Sequence, residues 1–196
     1  VLRLAESVDE PVVSPPLLKP KCGQPGICRV VDVEGTPVVD LGFSCFLDLP
    51  DETPHQPGAF VRLDAAGRVN AAPDANRGDL FTYSAVVLKV VDGDTLWVKI
   101  YLRPKQWIKQ KLRLRDLDCP EIAAPEGKVA KRFVEGLLAE DKRITICTTK
   151  PDKYDRYLAD VFLPLPGQSP LFLNNALLSN THATLKRAWE FGDWEN

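Results

Sequence analysis

Three short stretches of this 196-residue chain hold acids and arginines at spacings suited to phosphate chemistry. VVDGDTLWV at 90–98 sets Asp92, Gly93 and Asp94 between two apolar β-forming runs. RLRDLDCPE at 113–121 carries Arg113, Asp118 and Glu121. DKYDRY at 152–157 carries Lys153, Tyr154 and Arg156. A tight turn needs one Asp and a Gly, so the second acid of DGD is available for another task. Asp94, Asp118 and Glu121 together supply three carboxylates, the kind of oxygen set a hard divalent cation takes. Pro120 fixes the backbone between Asp118 and Glu121, so both can be aimed from one strand end. Soft ligands are sparse here: the chain has two His, and Cys119 is the nearby thiol, which favours Ca²⁺ or Mg²⁺ over zinc. Arginines beside such a metal form a phosphate clamp, because guanidinium forks match phosphate oxygens. Taken singly, each stretch also has a plain reading as a hairpin turn, a charged strand face or a polar turn.

The bulk numbers are those of a globular protein, 44% hydrophobic and 27% charged. No apolar run approaches the ~20 residues of a membrane span. The opening VLRLAESVDE has no apolar leader, but a targeting segment could already be gone, so the compartment stays open, with the cytoplasm slightly favoured. A chain that begins at Val1 and contains no Met is expected to be a processed or cut form. The five cysteines (22, 28, 45, 119 and 147) are irregularly spaced and do not read as a disulfide framework. A local Cys22–Cys28 pair, or zinc held by Cys22, Cys28, Cys45 and His55, is conceivable, but no CxxC supports it. Charge is uneven: residues 1–80 carry seven basic and twelve acidic residues, the remainder eighteen and fifteen. Residues 99–115 hold seven Lys or Arg and no acid, so a polyanion would bind the second half.

The elements that must position the three stretches follow from periodicity. Residues 84–91 and 95–102 flank the DGD turn as a hairpin. IKQKLRLR at 108–115 alternates strictly, with Ile108, Gln110, Leu112 and Leu114 on one face and Lys109, Lys111, Arg113 and Arg115 on the other. Residues 125–139 are helical, with rows Val129–Phe133–Leu137 and Ala130–Val134–Leu138. Residues 143–149 and 157–164 read as strands, and 174–180 as a second helix with Asn174 as its N-cap. Five strands with a helix after the third predict a small closed barrel of the oligonucleotide-binding type. Ahead of it, ten of the seventeen prolines fall in residues 1–80. There, residues 1–20 read as an extended arm, 27–33 and 36–43 as strands, and 59–72 as a hairpin turning near Ala66 and Gly67.

The three blocks, in this order and with this internal spacing, resemble the active-site blocks of the staphylococcal nuclease (thermonuclease) family, over residues about 82–190. The resemblance implies a mainly β fold with helices (α+β). This is a five-stranded oligonucleotide-binding barrel of the staphylococcal nuclease type at 81–196, preceded by a Pro-rich, β-containing extension at 1–80. It implies Ca²⁺ held by Asp94, Asp118, the backbone carbonyl of Cys119 (where the family has Thr) and Glu121. It implies that Arg113 binds the scissile phosphate and that Glu121 holds or deprotonates the attacking water. Arg156 would stabilise the phosphorane-like transition state and the leaving oxygen. Lys153 and Tyr154 fall where the family contacts the nucleotide, and Trp189 is a candidate stacking aromatic.

The implied activity is Ca²⁺-dependent hydrolysis of single- or double-stranded DNA and RNA, with low sequence specificity and 3′-phosphate products. A metal supplies charge neutralisation, arginines stabilise charge as it builds, and the basic strand 109–115 with Tyr154 can guide a single strand. Several departures from the family pattern stand out: the short loop IAAPEG after Glu121, the long connection 163–170, and Thr181 and His182 in the segment 179–189. Two other readings compete. One is a catalytically weak or inactive nucleic-acid-binding module, and the other an interaction protein acting through residues 1–80.

Overall fold

A computed structural model describes residues 16–50, 53–139 and 142–186, the side chains of 149 and 150 aside. Residues 27–71 form an antiparallel sheet of five strands, β1 (Ile27–Val33), β2 (Thr36–Asp40), β3 (Phe46–Asp48), β4 (Phe60–Leu63) and β5 (Val69–Ala71), in the order β3-β2-β1-β4-β5. The expected hairpin at 59–72 is β4 paired with β5, and it turns through Asp64–Gly67.

The barrel begins with β6 (Thr82–Asp92), β7 (Thr95–Arg103) and β8 (Gln106–Leu114), an antiparallel meander. After the two-residue β9 (Leu117–Asp118) comes α1 (Pro125–Leu137), with Pro125 at its first turn. Strands β10 (Arg143–Pro151) and β11 (Tyr157–Leu163) follow as an antiparallel pair. β11 lies parallel to β8, setting Arg113 beside Leu158, and β10 returns to β6, setting Ile144 beside Ala85. Five strands are thereby closed into a barrel with a helix after the third, as the periodicity predicts. β12 (Leu171–Phe172) extends the edge of β11, α2 (Leu173–Ser179) follows it, and β13 (Thr184–Leu185) pairs with β9.

The alternation of β7 and β8 drives the closure. Leu96, Val98, Ile100, Leu112 and Leu114 are all essentially buried, and so are Ile146, Ala159 and Val161 from the other strands. Of the two helical rows, Ala130, Val134 and Leu138 face the core, whereas Val129 is exposed. Cys28, Val30, Val39, Leu41 and Val61 of the first sheet belong to the same buried cluster as the barrel residues. Tyr83 joins the two regions: its hydroxyl donates to the Leu41 carbonyl at 3.0 Å, and the Phe43 ring packs on Tyr83 and on Tyr157. Gly42 is required there, because a Cβ would stand 2.0 Å from the Tyr83 hydroxyl and the residue has φ +78.

One alternative reading and one expectation are corrected. The plain reading of Arg113 and Arg115 as a charged face in solvent does not hold, since they are 9% and 6% exposed. Asn174 does not cap α2, whose N-cap position is Phe172. Asn174 is fully buried instead. Its amide donates to the carbonyls of Arg115 and Ala159 and its oxygen accepts the Val161 N–H. All five cysteines are free thiols, and no group of three His, Cys, Asp or Glu able to hold a metal exists among the described residues, which leaves no zinc cluster there.

Arg115 is buried because Asp160 faces it. Arg115 Nε donates to Asp160 Oδ1 at 2.7 Å and Nη2 to Oδ2 at 3.0 Å, and the Lys21 N–H reaches the same carboxylate at 2.6 Å. Burial pushes the Asp160 carboxyl up, and the Arg115 hydrogen bonds pull against it. Replacing Asp160 by Ala removes the carboxylate that takes two of the Arg115 hydrogen bonds, while Asp116 and the Lys19 carbonyl still meet the guanidinium. Asp160→Ala should lower stability by about 3–5 kcal/mol in urea unfolding. It should also expose the chain near residue 21 to proteolysis; a change below ~1 kcal/mol would show that the pair does not hold the fold.

Candidate active site

The DGD turn closes the β6–β7 hairpin. Asp92 sits opposite Thr95, and its Oδ1 accepts the Asp94 N–H at 3.3 Å, so Asp92 serves the turn. Gly93 is there for space. A Cβ would meet Ala130 Cβ of α1 and Cys119 Sγ, each at 2.8 Å. The turn is therefore clamped between the helix and the segment that follows β9.

Asp94 points inward and is 3% exposed. Its Oδ1 accepts the Thr95 hydroxyl at 2.8 Å, and its Oδ2 accepts the Cys119 N–H at 3.1 Å and faces Arg113 Nη2 at 3.0 Å. The same Nη2 donates to Asp118 Oδ1, on a side chain that is 55% exposed. Residues 94, 113 and 118, remote in sequence, thus form one charged cluster in which a single guanidinium is shared by two carboxylates. Burial pushes the Asp94 carboxyl up, against the pull of Arg113 and the Cys119 N–H. Burial also raises the Cys119 thiol, reinforced by Asp94 and Asp92, which keeps it protonated and poor as a thiolate ligand.

Glu121 is exposed, with no ion pair among the described residues. Its backbone is firmly placed. The Glu121 carbonyl accepts the Ala124 N–H at 2.9 Å, and a Cβ on Gly127 would come within 2.1 Å of that carbonyl. The start of α1 can approach this loop only through a glycine.

Arg156 is organised by its own turn. Asp152 accepts from Arg156 Nε at 2.9 Å and Nη2 at 2.7 Å, and from the backbone N–H groups of Tyr154 and Arg156. Tyr154 is 66% exposed, with Lys153 Nζ 5.0 Å and the Arg156 guanidinium carbon 5.2 Å from its ring centroid. Gln110 of β8 donates to the Asp155 carbonyl at 3.3 Å, tying this turn to the barrel. No bond joins Arg156 to Arg113 or Glu121 among the described residues. Trp189 lies outside the described residues.

The sequence reading passed over Asp152, the residue that orients Arg156, and Thr95, which holds Asp94. Both sit inside the quoted blocks, but their role depends on where the neighbouring side chain turns. The His182 ring packs 4.5 Å from that of Phe133.

The donor chemistry suits a hard cation, since the carboxylates of Asp94 and Asp118 already converge on one positive group. In this arrangement the positive group is Arg113, and no three metal-capable side chains converge among the described residues.

A closed five-stranded barrel carrying carboxylates and arginines at its strand ends defines an oligonucleotide-binding type of domain with a charged site. The comparisons make that class specific. Residues 111–193 match the model of the family described as staphylococcal nuclease homologue. Two curated relatives from Oryza sativa subsp. japonica are similar. Probable staphylococcal-like nuclease CAN2 is 30% identical over 91 residues, 44% of this chain and 23% of its own length. Probable staphylococcal-like nuclease CAN3 is 29% identical over 91 residues, 44% of this chain and 22% of its own length. The chain thus spans under a quarter of either relative. The family match begins within β8, so the DGD turn precedes it.

Gly127→Ala should cost about 1–3 kcal/mol of stability and shift the amide resonances of residues 119–124. Unchanged resonances would show that this approach does not fix Glu121. The hydrogen bonds from Arg156 and the turn N–H groups outweigh burial and hold Asp152 below the ordinary carboxylate range. Because the folded value is lowered, its contribution is fully present above about pH 4 and lost as pH falls through that lowered value. The stability gap between the wild type and Asp152→Asn should therefore close in acid. A gap independent of pH would contradict the clasp.

Proposed function

We propose that the barrel is a Ca²⁺-dependent phosphodiesterase that hydrolyses DNA and RNA with little sequence preference and leaves 3′-phosphate ends. The observation that carries this reading is the shared guanidinium of Arg113, buried at the end of β8 between Asp94 and Asp118. In this reading Arg113 binds the scissile phosphate. Glu121, which is exposed, orients or deprotonates the attacking water. Arg156, held by Asp152, stabilises the extra negative charge of the transition state and of the leaving oxygen. Lys153 and Tyr154 contact the nucleotide beside the cleaved bond. Ca²⁺ would be held by Asp94, Asp118, the Cys119 carbonyl and Glu121, and when bound it would neutralise charge on the phosphate. The nuclease names of the two rice relatives support the reading, as does the family match. We further propose that residues 16–80 act as a unit with the barrel, whose buried core they share.

One observation favours a second reading, a nucleic-acid-binding barrel without turnover: no three metal-capable side chains converge among the described residues. Kinetics separate the two. Arg156→Ala should lower the cleavage rate by about 100-fold or more while oligonucleotide affinity changes little, since its work is in the transition state. An unchanged rate would remove Arg156 from the site. Asp94→Ala should abolish Ca²⁺ binding in titration calorimetry; retained affinity would return the DGD turn to a purely structural role.

A further inference from the structure

The outward face of the β7–β8 hairpin is a ladder of rings and cations that the candidate site does not use. Cross-strand pairing sets Trp97 opposite Lys111, Lys99 opposite Lys109, and Tyr101 opposite Trp107. The intervening Leu96, Val98, Ile100 and Leu102 point into the core, so these six share the outer face. Lys99 Nζ stands 4.4 Å from the Trp107 ring centroid and 5.1 Å from that of Tyr101, and Lys109 Nζ stands 5.0 Å from that of Trp97. The next pair along is Thr95 with Arg113, so the ladder runs directly into the guanidinium of the charged cluster.

Cation–ring pairs on a hairpin stabilise it by themselves, and for Trp97 with Lys109 that suffices. Two further facts point outward. Trp107 is 51% and Tyr101 41% exposed, although tryptophan is normally highly buried. The charge is also uncompensated among the described residues. Residues 99–115 contain no acid, the neighbouring strand β6 places Ser84, Val86 and Lys89 alongside, and Lys99, Lys109 and Lys111 make no ion pair among the described residues. Exposed rings alternating with unneutralised ammonium groups match a ligand that alternates flat bases with phosphates. Rungs two residues apart repeat about every 6.8 Å, so the three rungs and Arg113 form a straight track of several nucleotides.

We propose that the outer face of β7–β8 is a track for single-stranded nucleic acid. Trp107 and Tyr101 stack on bases, and Lys99, Lys109 and Lys111 pair with phosphates while the strand leads to Arg113. The direction of the track rests on Arg113 holding a phosphate, as in the proposed function. A duplex fits poorly, because its bases are already stacked on one another and offer the rings no free face. The track makes long single strands bind more tightly than short ones.

The test is fluorescence anisotropy of labelled thymidine oligonucleotides of 4 and 16 residues, with chelator present, on the whole chain. Trp107→Ala should weaken binding of the 16-mer by about tenfold or more and leave the 4-mer unchanged. Trp107→Phe, which keeps a ring, should restore most of the affinity. Lys99→Ala should reduce the salt slope of 16-mer binding by about 0.7. Trp107 is exposed and Lys99 half-buried on the outer face, and thermal melting checks that the variants fold as the wild type does. The proposal is overturned by a 16-mer affinity that Trp107→Ala does not alter, by equal losses at both lengths, by failure of the wild type to bind the 16-mer, or by preference for duplex. Cleavage of the 4-mer by the wild type with Ca²⁺, run in parallel, tests the nuclease reading separately. A chain that cuts nothing but binds the 16-mer through Trp107 would sink that reading and leave the track standing.

Discussion

The buried pair of Arg115 and Asp160 is the constraint on which the rest of the molecule depends. A guanidinium and a carboxylate cannot be taken out of water separately, so wherever one goes the other must follow. Arg115 leaves the end of β8 and Asp160 belongs to β11, so their meeting fixes the parallel contact that completes the barrel. The Arg115 N–H also reaches the Ala159 carbonyl, and Asn174 of α2 closes over both strands. The pair collects the N-terminal segment as well, through the Lys21 N–H on Asp160 and the Lys19 carbonyl on Arg115. Three distant parts of the chain are thereby held at one end of β8.

The same end of β8 carries Arg113, two residues earlier and equally sheltered. One arginine locks strands together; the other sits between two carboxylates at the site. Sharing matters electrostatically. Asp94, nearly buried, would be costly as an isolated anion and is matched by the guanidinium, the Thr95 hydroxyl and the Cys119 N–H. Asp118 remains more than half exposed and completes the cluster from the solvent side. Gly93 and Gly127 allow the turn, the loop after β9 and α1 to approach closely enough for this to happen.

The strands and the main helix were legible because their periodicity is strong: 108–115 alternates without a break, and the row Ala130–Val134–Leu138 faces the core. The three blocks were legible because their acids and arginines exceed what turns require. The fate of the arginines was not. Alternation assigns Arg113 and Arg115 to the polar face but cannot show that Asp94, Asp118 and Asp160 arrive to bury it, since those partners come from other strands. Asn174 was misread for a similar reason: before a helix an Asn resembles a cap, and only the convergence of Arg115, Ala159 and Val161 shows its amide bridging strands. The attachment of the segment ahead of the first sheet was hidden because its polar links at Lys21 and Gly23 use backbone N–H groups, which leave no mark on residue type.

The central claim is that this charged cluster hydrolyses phosphodiesters. Its most direct test is gel analysis of single-stranded DNA, duplex DNA and RNA incubated with the protein, with Ca²⁺ or with chelator, beside a Glu121→Gln variant. The account predicts fragments from all three nucleic acids with Ca²⁺, none with chelator, and none above background from the variant, which should still bind. Nucleic acid that is retarded but intact under every condition would contradict it and leave the cluster as a binding surface.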